Sequence, residues 1–226
     1  MANYFLLTLD TISPSSANVV INSGAAYATN DLVTLTISTT DNPTTGYTMK
    51  IWGNVDNAYN VNVQSTEGAS TWIAYQSSLQ IKLASGDGSK TVFLKIRDDV
   101  YNESAQVSDS IILDTSVPVG SIEGIDRNKI SKVSGRNVAS FGFTVDSIFE
   151  EYKIKVVSAI DGQHDTGVQI LTTNGSINMS GNTGNYPSGT VINCQITGAD
   201  LEVASAGNGQ KIVKLFVKDQ SGNWSV

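Results

Sequence analysis

The stretch GSKTVFLKIRDDVYNES, residues 88–104, lies without a gap over GQKIVKLFVKDQSGNWS, residues 209–225. Seven of the seventeen positions are identical: Gly88/Gly209, Lys90/Lys211, Val92/Val213, Leu94/Leu215, Asp98/Asp219, Asn102/Asn223 and Ser104/Ser225. A repeat at domain-sized spacing means two copies of one structural unit. In each copy apolar residues alternate with polar ones (Val92, Leu94, Ile96; Val213, Leu215, Val217), which is the period of a strand with one buried face and one wet face. The Asp-to-Asn segment then makes a turn, because Asx side chains hydrogen-bond their own backbone and Gly222 tolerates positive φ.

The flanking sequence has the same character. LVTLTIS (32–38), YTMKIWG (47–53), LQIKL (79–83), TVFLKI (91–96) and VSDSIIL (107–113) are predicted strands of the first half, divided by turns such as DNPTTG (41–46). FGFTV (141–145), YKIKVV (152–157), VQILT (168–172), SINM (176–179), VINCQI (191–196) and IVKLFV (212–217) are those of the second. Asn174-Gly175 predicts a tight hairpin between VQILT and SINM. Short strands at this spacing predict an all-β chain of two tandem antiparallel β-sandwiches, each of about 100 residues. The expected division is an N-terminal arm over 1–14, a first sandwich over 15–118 and a second over 119–226.

Composition agrees. Of 226 residues 40% are hydrophobic and 15% charged, with 20 Gly and 4 Pro, a mixture that favours strands and polar turns over long helices. The net charge is −7. Residues 1–118 hold 11 acids and 5 bases, and residues 119–226 hold 10 and 9, so the acidity sits in the first half. No Lys/Arg cluster offers a nucleic-acid footprint, and no apolar run approaches the about 20 residues of a membrane helix. Cys194 is the one cysteine, which leaves no intrachain disulfide; Ile192, Cys194 and Ile196 share a strand face, so a buried thiol is expected. Phe5-Leu6-Leu7 is too short for a signal-peptide core. With Met1 as the natural start, synthesis in a cytoplasm without export by the usual route is expected.

INSGAAYATNDLVTLTIS, SGDGSKTVFLKIRD and SDSIILDTSVP give residues 20–118 a resemblance to the bacterial immunoglobulin-like modules of phage virion proteins and bacterial surface proteins. The second half shares only KIVKLFVKDQSGNWS with them and joins the group through the repeat. The resemblance implies a sandwich and a modular way of life, and no chemistry.

In such a module one more strand comes after the turn. VSDSIIL supplies it in the first half, whereas the second half reaches Val226 with no counterpart. LTLDTISP (7–14) is a near copy of IILDTSVP (111–118), with Leu7 and Leu9 over Ile111 and Leu113. Phe5, Leu7 and Leu9 alternate, and the expectation is that this arm docks on an open sheet edge of another subunit, satisfying unpaired backbone groups and a bare core together. The competing reading pairs residues 4–9 within the first sandwich as an extra edge strand.

Catalytic constellations are scarce. His164, with Asp161 and Asp165 in DGQHDTG, is the only histidine, and its Gly-flanked loop reads as an exposed turn rather than an acid/base or metal cluster. Glu150-Glu151 and Asp98-Asp99 are adjacent carboxylates, which a regular strand aims to opposite faces. Asp98, Asn102, Asp219 and Asn223 carry oxygens that calcium accepts, yet turn-making accounts for them. Asp114 and Thr115 read as a linker cap. Trp52, Trp72 and Tyr75 are candidates for a sugar-stacking platform, against the simpler reading of aromatics covering the sandwich edge.

The expected function is therefore non-enzymatic, with no cofactor and no metal: a structural bacteriophage virion protein, first a capsid decoration or auxiliary protein, next a tail or head-fibre component, and as a rival a glycan-binding bacterial surface adhesin. Its partners would be other virion proteins (major capsid or tail proteins) and copies of itself by strand donation, with no nucleic acid and no membrane. Phe5, Leu7, Leu9, Trp52 and Trp72 are the candidate interaction residues.

Overall fold

A computed structural model describes residues 4–40, 46–182 and 184–226. The DNPTTG turn falls, but for Gly46, outside the described residues. The chain divides between Thr115 and Ser116 into two compact units.

In the first unit the strands run in order β1 (Asn18–Ile21), β2 (Tyr27–Ala28), β3 (Leu32–Ser38), β4 (Thr48–Gly53), β5 (Ile73–Ala74), β6 (Ser78–Lys82), β7 (Gly88–Arg97) and β8 (Val107–Leu113). One sheet has the order β1-β3-β6 and the other β2-β8-β7-β4-β5. All neighbours are antiparallel except β2 and β8, which are parallel. Alternation fixes the inner faces: Val33, Leu35 and Ile37 of β3 are buried while the residues between them are exposed. Met49 and Ile51, Val92, Leu94 and Ile96, and Ile111 and Leu113 meet them in one core. Removing each such side chain from water is worth about 1.5–3 kcal/mol, so this core, rather than local propensity, holds the sheets together. β4 ends at Gly53 for a local reason: at φ 136 its backbone passes so close to the Thr91 carbonyl that a Cβ would collide with it.

The second unit contains β9 (Gly120–Glu123), β10 (Val138–Val145), β11 (Phe149–Val157), β12 (Val168–Gln169), β13 (Ser180–Gly181), β14 (Ile192–Thr197), helix α1 (Gly198–Ala204) and β15 (Ile212–Asp219). One sheet is β9-β10-β14; in the other β11 pairs with β15 on one side and with β12 and β13 on the other. Phe143, Phe149, Tyr152, Ile154, Met179 and Val217 are fully or almost fully buried between them. Both units are thus β-sandwiches of immunoglobulin-like type, antiparallel but for the β2–β8 pair, and among the described residues the chain is all-β apart from α1 and a 3-10 turn at Asn22–Gly24.

Two local expectations need correction. VQILT and SINM do not form a hairpin: only Val168–Gln169 of the first is a strand, and SINM makes a single bridge from Ile177 to Gln195; the next strand, β13, starts after it at Ser180. β12 and β13 pair end to end along β11, with Gln169 opposite Lys155 and Ser180 opposite Lys153, and not with each other. The reason is Asp200. Its buried carboxylate accepts hydrogen bonds from the main-chain N–H groups of Asn174 (2.9 Å) and Ser176 (3.0 Å) and from the Thr197 hydroxyl (3.1 Å), which pulls the Asn174-Gly175 turn away from β11. The short α1, N-capped by the Thr197 side chain, carries that aspartate.

The reading that pairs residues 4–9 within the first sandwich as an edge strand also needs correction. Residues 4–13 form no strand, within the first sandwich or elsewhere among the described residues, and are exposed.

Candidate interaction site: the open edge of the second unit

The seven repeat identities have a common structural meaning. Asp98 Oδ1 accepts the N–H groups of Val100 and Asn102, and its Oδ2 accepts Asn102 Nδ2. Asp219 does the same for Ser221, Asn223 and Asn223 Nδ2. Ser104 Oγ accepts the Ile96 N–H, and Ser225 Oγ the Val217 N–H, both at 3.0 Å. Lys90 Nζ donates to the Ser85 carbonyl and Lys211 Nζ to that of Ala206. Gly88 and Gly209 adopt φ 118 and 126, a region other residues avoid. β7 and β15 are therefore the same strand in two copies, closed by the same turn. The carboxylates of Asp98 and Asp219 are spent on those turns.

The copies differ beyond that turn. In the first unit β8 pairs with β7 along its length: Val92 faces Asp109, Lys90 faces Ile111 and Gly88 faces Leu113. In the second, β15 pairs with β11 on one side. The main-chain groups of Val217 point the other way, to Ser225. By strand alternation those of Leu215 and Val213 also point outward. No strand pairs with that edge among the described residues. Such an edge is a template for an added strand.

Beside this edge lies a groove of about 790 Å³. Ile122, Ile125, Ile130, Phe141, Leu201 and Val213 give it an apolar lining, with Gly209 and Lys211 at the rim. In the first unit the corresponding inner face is filled by Ile111 and Leu113, which are 2% and 1% exposed. The edge and the groove are thus two aspects of one site, backbone hydrogen-bonding capacity next to uncovered apolar surface.

The arm offers the complementary chemistry. Tyr4, Phe5, Leu6, Leu7, Leu9 and Ile12 are between 77 and 91% exposed. The arm is nevertheless rooted. The Asp10 carbonyl accepts a hydrogen bond from Asn102 Nδ2 (3.3 Å), Pro14 is buried, and Ser15 meets the Thr39 and Thr40 side chains.

The aromatic candidates are placed differently. Trp52 lies across β4 from Met49 and Ile51, as alternation requires, but it is only 7% exposed. Its ring stacks on Phe93 at 5.7 Å, and the 54–72 segment crosses it through a bridge to Gln64. Trp72 is half-buried, with the Arg97 guanidinium 4.2 Å and Lys50 Nζ 5.1 Å from its ring centre. Tyr75 is half-buried and donates its hydroxyl to the Ile37 carbonyl. The Trp52 ring is thus covered, and cations lie over the Trp72 ring.

His164 is half-buried rather than exposed: its ring stacks on Trp224 at 4.6 Å. Glu150 and Glu151 do not point to opposite faces as regular alternation requires. A register shift between Phe149 and Glu151 lets both reach Lys218, at 2.8 and 2.9 Å, and Glu151 also meets Lys153 at 2.7 Å. Burial opposes ionisation of Glu151, but hydrogen bonds from Lys153 and Lys218 outweigh it and hold the carboxyl below its usual range. Burial pushes the Cys194 thiol up to about 12, which keeps it protonated. No group of three or more His, Cys, Asp or Glu side chains suited to a metal occurs among the described residues, and no described helix is long and apolar enough to cross a membrane.

No known family's sequence profile matches the chain, and no curated protein matches it. Solved structures offer distant likenesses. The fibronectin(III)-like modules of CbhA from Clostridium thermocellum align over 92% of this chain and 90% of theirs, at 10% identity and a TM-score of 0.43. Chitinase ChiA74 from Bacillus thuringiensis aligns over 92% of this chain at 13% identity and a TM-score of 0.31, and the match spans only 30% of that enzyme.

Proposed function

We propose that this chain is a non-catalytic structural protein of a bacteriophage particle, a decoration or auxiliary protein that attaches to the shell through its β-sandwich surfaces and its N-terminal arm. The observation that carries the reading is the presence, on one chain, of an apolar arm without packing partners and a sandwich edge with an uncovered groove. Both surfaces call for another polypeptide rather than a small substrate. The carboxylates of Asp98, Asp219, Glu150 and Glu151 are engaged in turns and ion pairs. The choice of a phage particle rests on the family resemblance of residues 20–118.

The test is to purify particles from an infected host and quantify this chain in them. Many copies per particle, lost when residues 2–10 are deleted, are expected. A chain absent from particles, or one bound equally well without the arm, overturns the proposal.

A further inference from the structure

We infer that the β15 edge accepts residues 5–11 of a second copy of this chain, in the register that β8 holds on β7, so that copies join head to tail. The inference deepens the proposed structural role and rests on the same arm and edge.

The repeat sets the register. LTLDTISP matches IILDTSVP in alignment from Leu7 and Ile111, and β15 matches β7 from Gly209 and Gly88. Carrying over the pairs Lys90–Ile111, Gly88–Leu113 and Val92–Asp109 sets Leu7 opposite Lys211, Leu9 opposite Gly209 and Phe5 opposite Val213. In the first unit the N–H groups of Ile112 and Asp114 point away from β7, to Ala26 and Ala28, so the odd-numbered residues of β8 bond to β7. Phe5 then exchanges main-chain hydrogen bonds with Val213, whose groups the alternation of β15 turns outward, and Leu7 and Leu9 continue the ladder along Lys211 and Gly209, the residues that lead into β15. The same parity sends the three side chains inward, as it does Ile111 and Leu113, into the groove between Ile122, Ile130, Phe141 and Leu201. The repeat supplies one more contact. Thr115 donates its N–H and hydroxyl to Asp87 Oδ1, both at 2.9 Å, and the matching pair is Thr11 with Asn208, whose amide oxygen can accept the same two bonds.

The occupant is a second copy because of where the arm is rooted. Asp10 sits against Asn102, in the turn between β7 and β8, while the chain leaves the first unit at Thr115, beyond the other end of β8. β8 spans about 24 Å at roughly 3.4 Å per residue. The arm therefore starts from the end of the first unit remote from that exit, and the residues ahead of Asp10 are consumed by the pairing itself. A donor at one end of the chain and an acceptor in the other unit make a heterologous contact, which grows into open-ended strings unless a rotation closes it.

Two single-cysteine proteins test this, Leu7→Cys and Lys211→Cys, each also carrying Cys194→Ala. Directly opposed strand residues lie about 5.5 Å apart between Cα atoms, within disulfide reach. Oxidising the mixture is expected to give a linked heterodimer that neither protein gives with itself. Sedimentation of the unaltered chain is expected to show a concentration-dependent series, and Leu7→Asp to weaken that association at least about tenfold. Leu7 has no packing in the isolated chain, so this variant folds as its parent does. A disulfide that closes within a monomer carrying both cysteines at every dilution, no heterodimer in the mixture, or self-association untouched by Leu7→Asp overturns the inference. If the chain still copurifies with particles after such a result, the structural role stands and this joint falls. A Leu7-dependent string that never appears on particles has the opposite meaning.

Discussion

Asp200 shows how one side chain decides local architecture. It is 1% exposed, yet it collects hydrogen bonds from Asn174, Ser176, Thr173 and Thr197. Burial alone raises a carboxyl's pKa; here the donors of Ser176 and Asn174 more than offset that and hold the group far below the usual carboxylate range. A folded-state pKa below the unfolded one adds stability that is present above the unfolded value, about 3.9, and drains away as pH falls towards the folded value. Acid titration should therefore destabilise the second unit below about pH 4, and Asp200→Asn should flatten that dependence. Asp200→Ala strands several buried donors and should cost about 3 kcal/mol in denaturant melts. An unchanged melting curve would remove Asp200 from its organising role. Nothing in the sequence around GADLE marks this residue as buried, because the Asn174 and Ser176 donors lie more than twenty positions away.

At the scale of elements, legibility tracks alternation. LVTLTIS and VSDSIIL are strands at their predicted limits, and IVKLFV extends by two residues to Asp219. Where pairing is too short to need a pattern, as in β12 and β13, the turn signal of Asn174-Gly175 misleads, since a buried acceptor competes for its backbone. β1, β9 and α1 are not visible in the sequence either; NVVI and GSIE are four residues long, below the length at which period two stands out. The position of the β15 edge is legible, because the repeat aligns 209–225 with 88–104 and so with the strand that β8 flanks, whereas the covering of Trp52 is not: the 54–72 segment has no periodicity that announces its path. The two near-identical segments give a direct comparison. Ile111→Ala opens a cavity in the first core and should cost about 2–4 kcal/mol. Leu7→Ala in the dilute chain should cost nothing measurable. Equal losses in chemical denaturation would mean that the arm is packed after all.

The whole molecule is two cores in one chain, with no residue shared between the two buried clusters. Each sandwich should therefore unfold on its own, giving two calorimetric transitions. The fragment 15–115 retains β8 against β7 and should be the more stable; the fragment 116–226, with the outer side of β15 bare, should melt first. One cooperative transition shared by both units would contradict this. In the second unit the Asp219 turn and the Ser225 hydroxyl complete the end of β15 from within the chain, as their counterparts do for β7. β15 is thereby held in its final shape from within the chain, so in the strand addition proposed above the ordering entropy would fall almost entirely on the incoming segment.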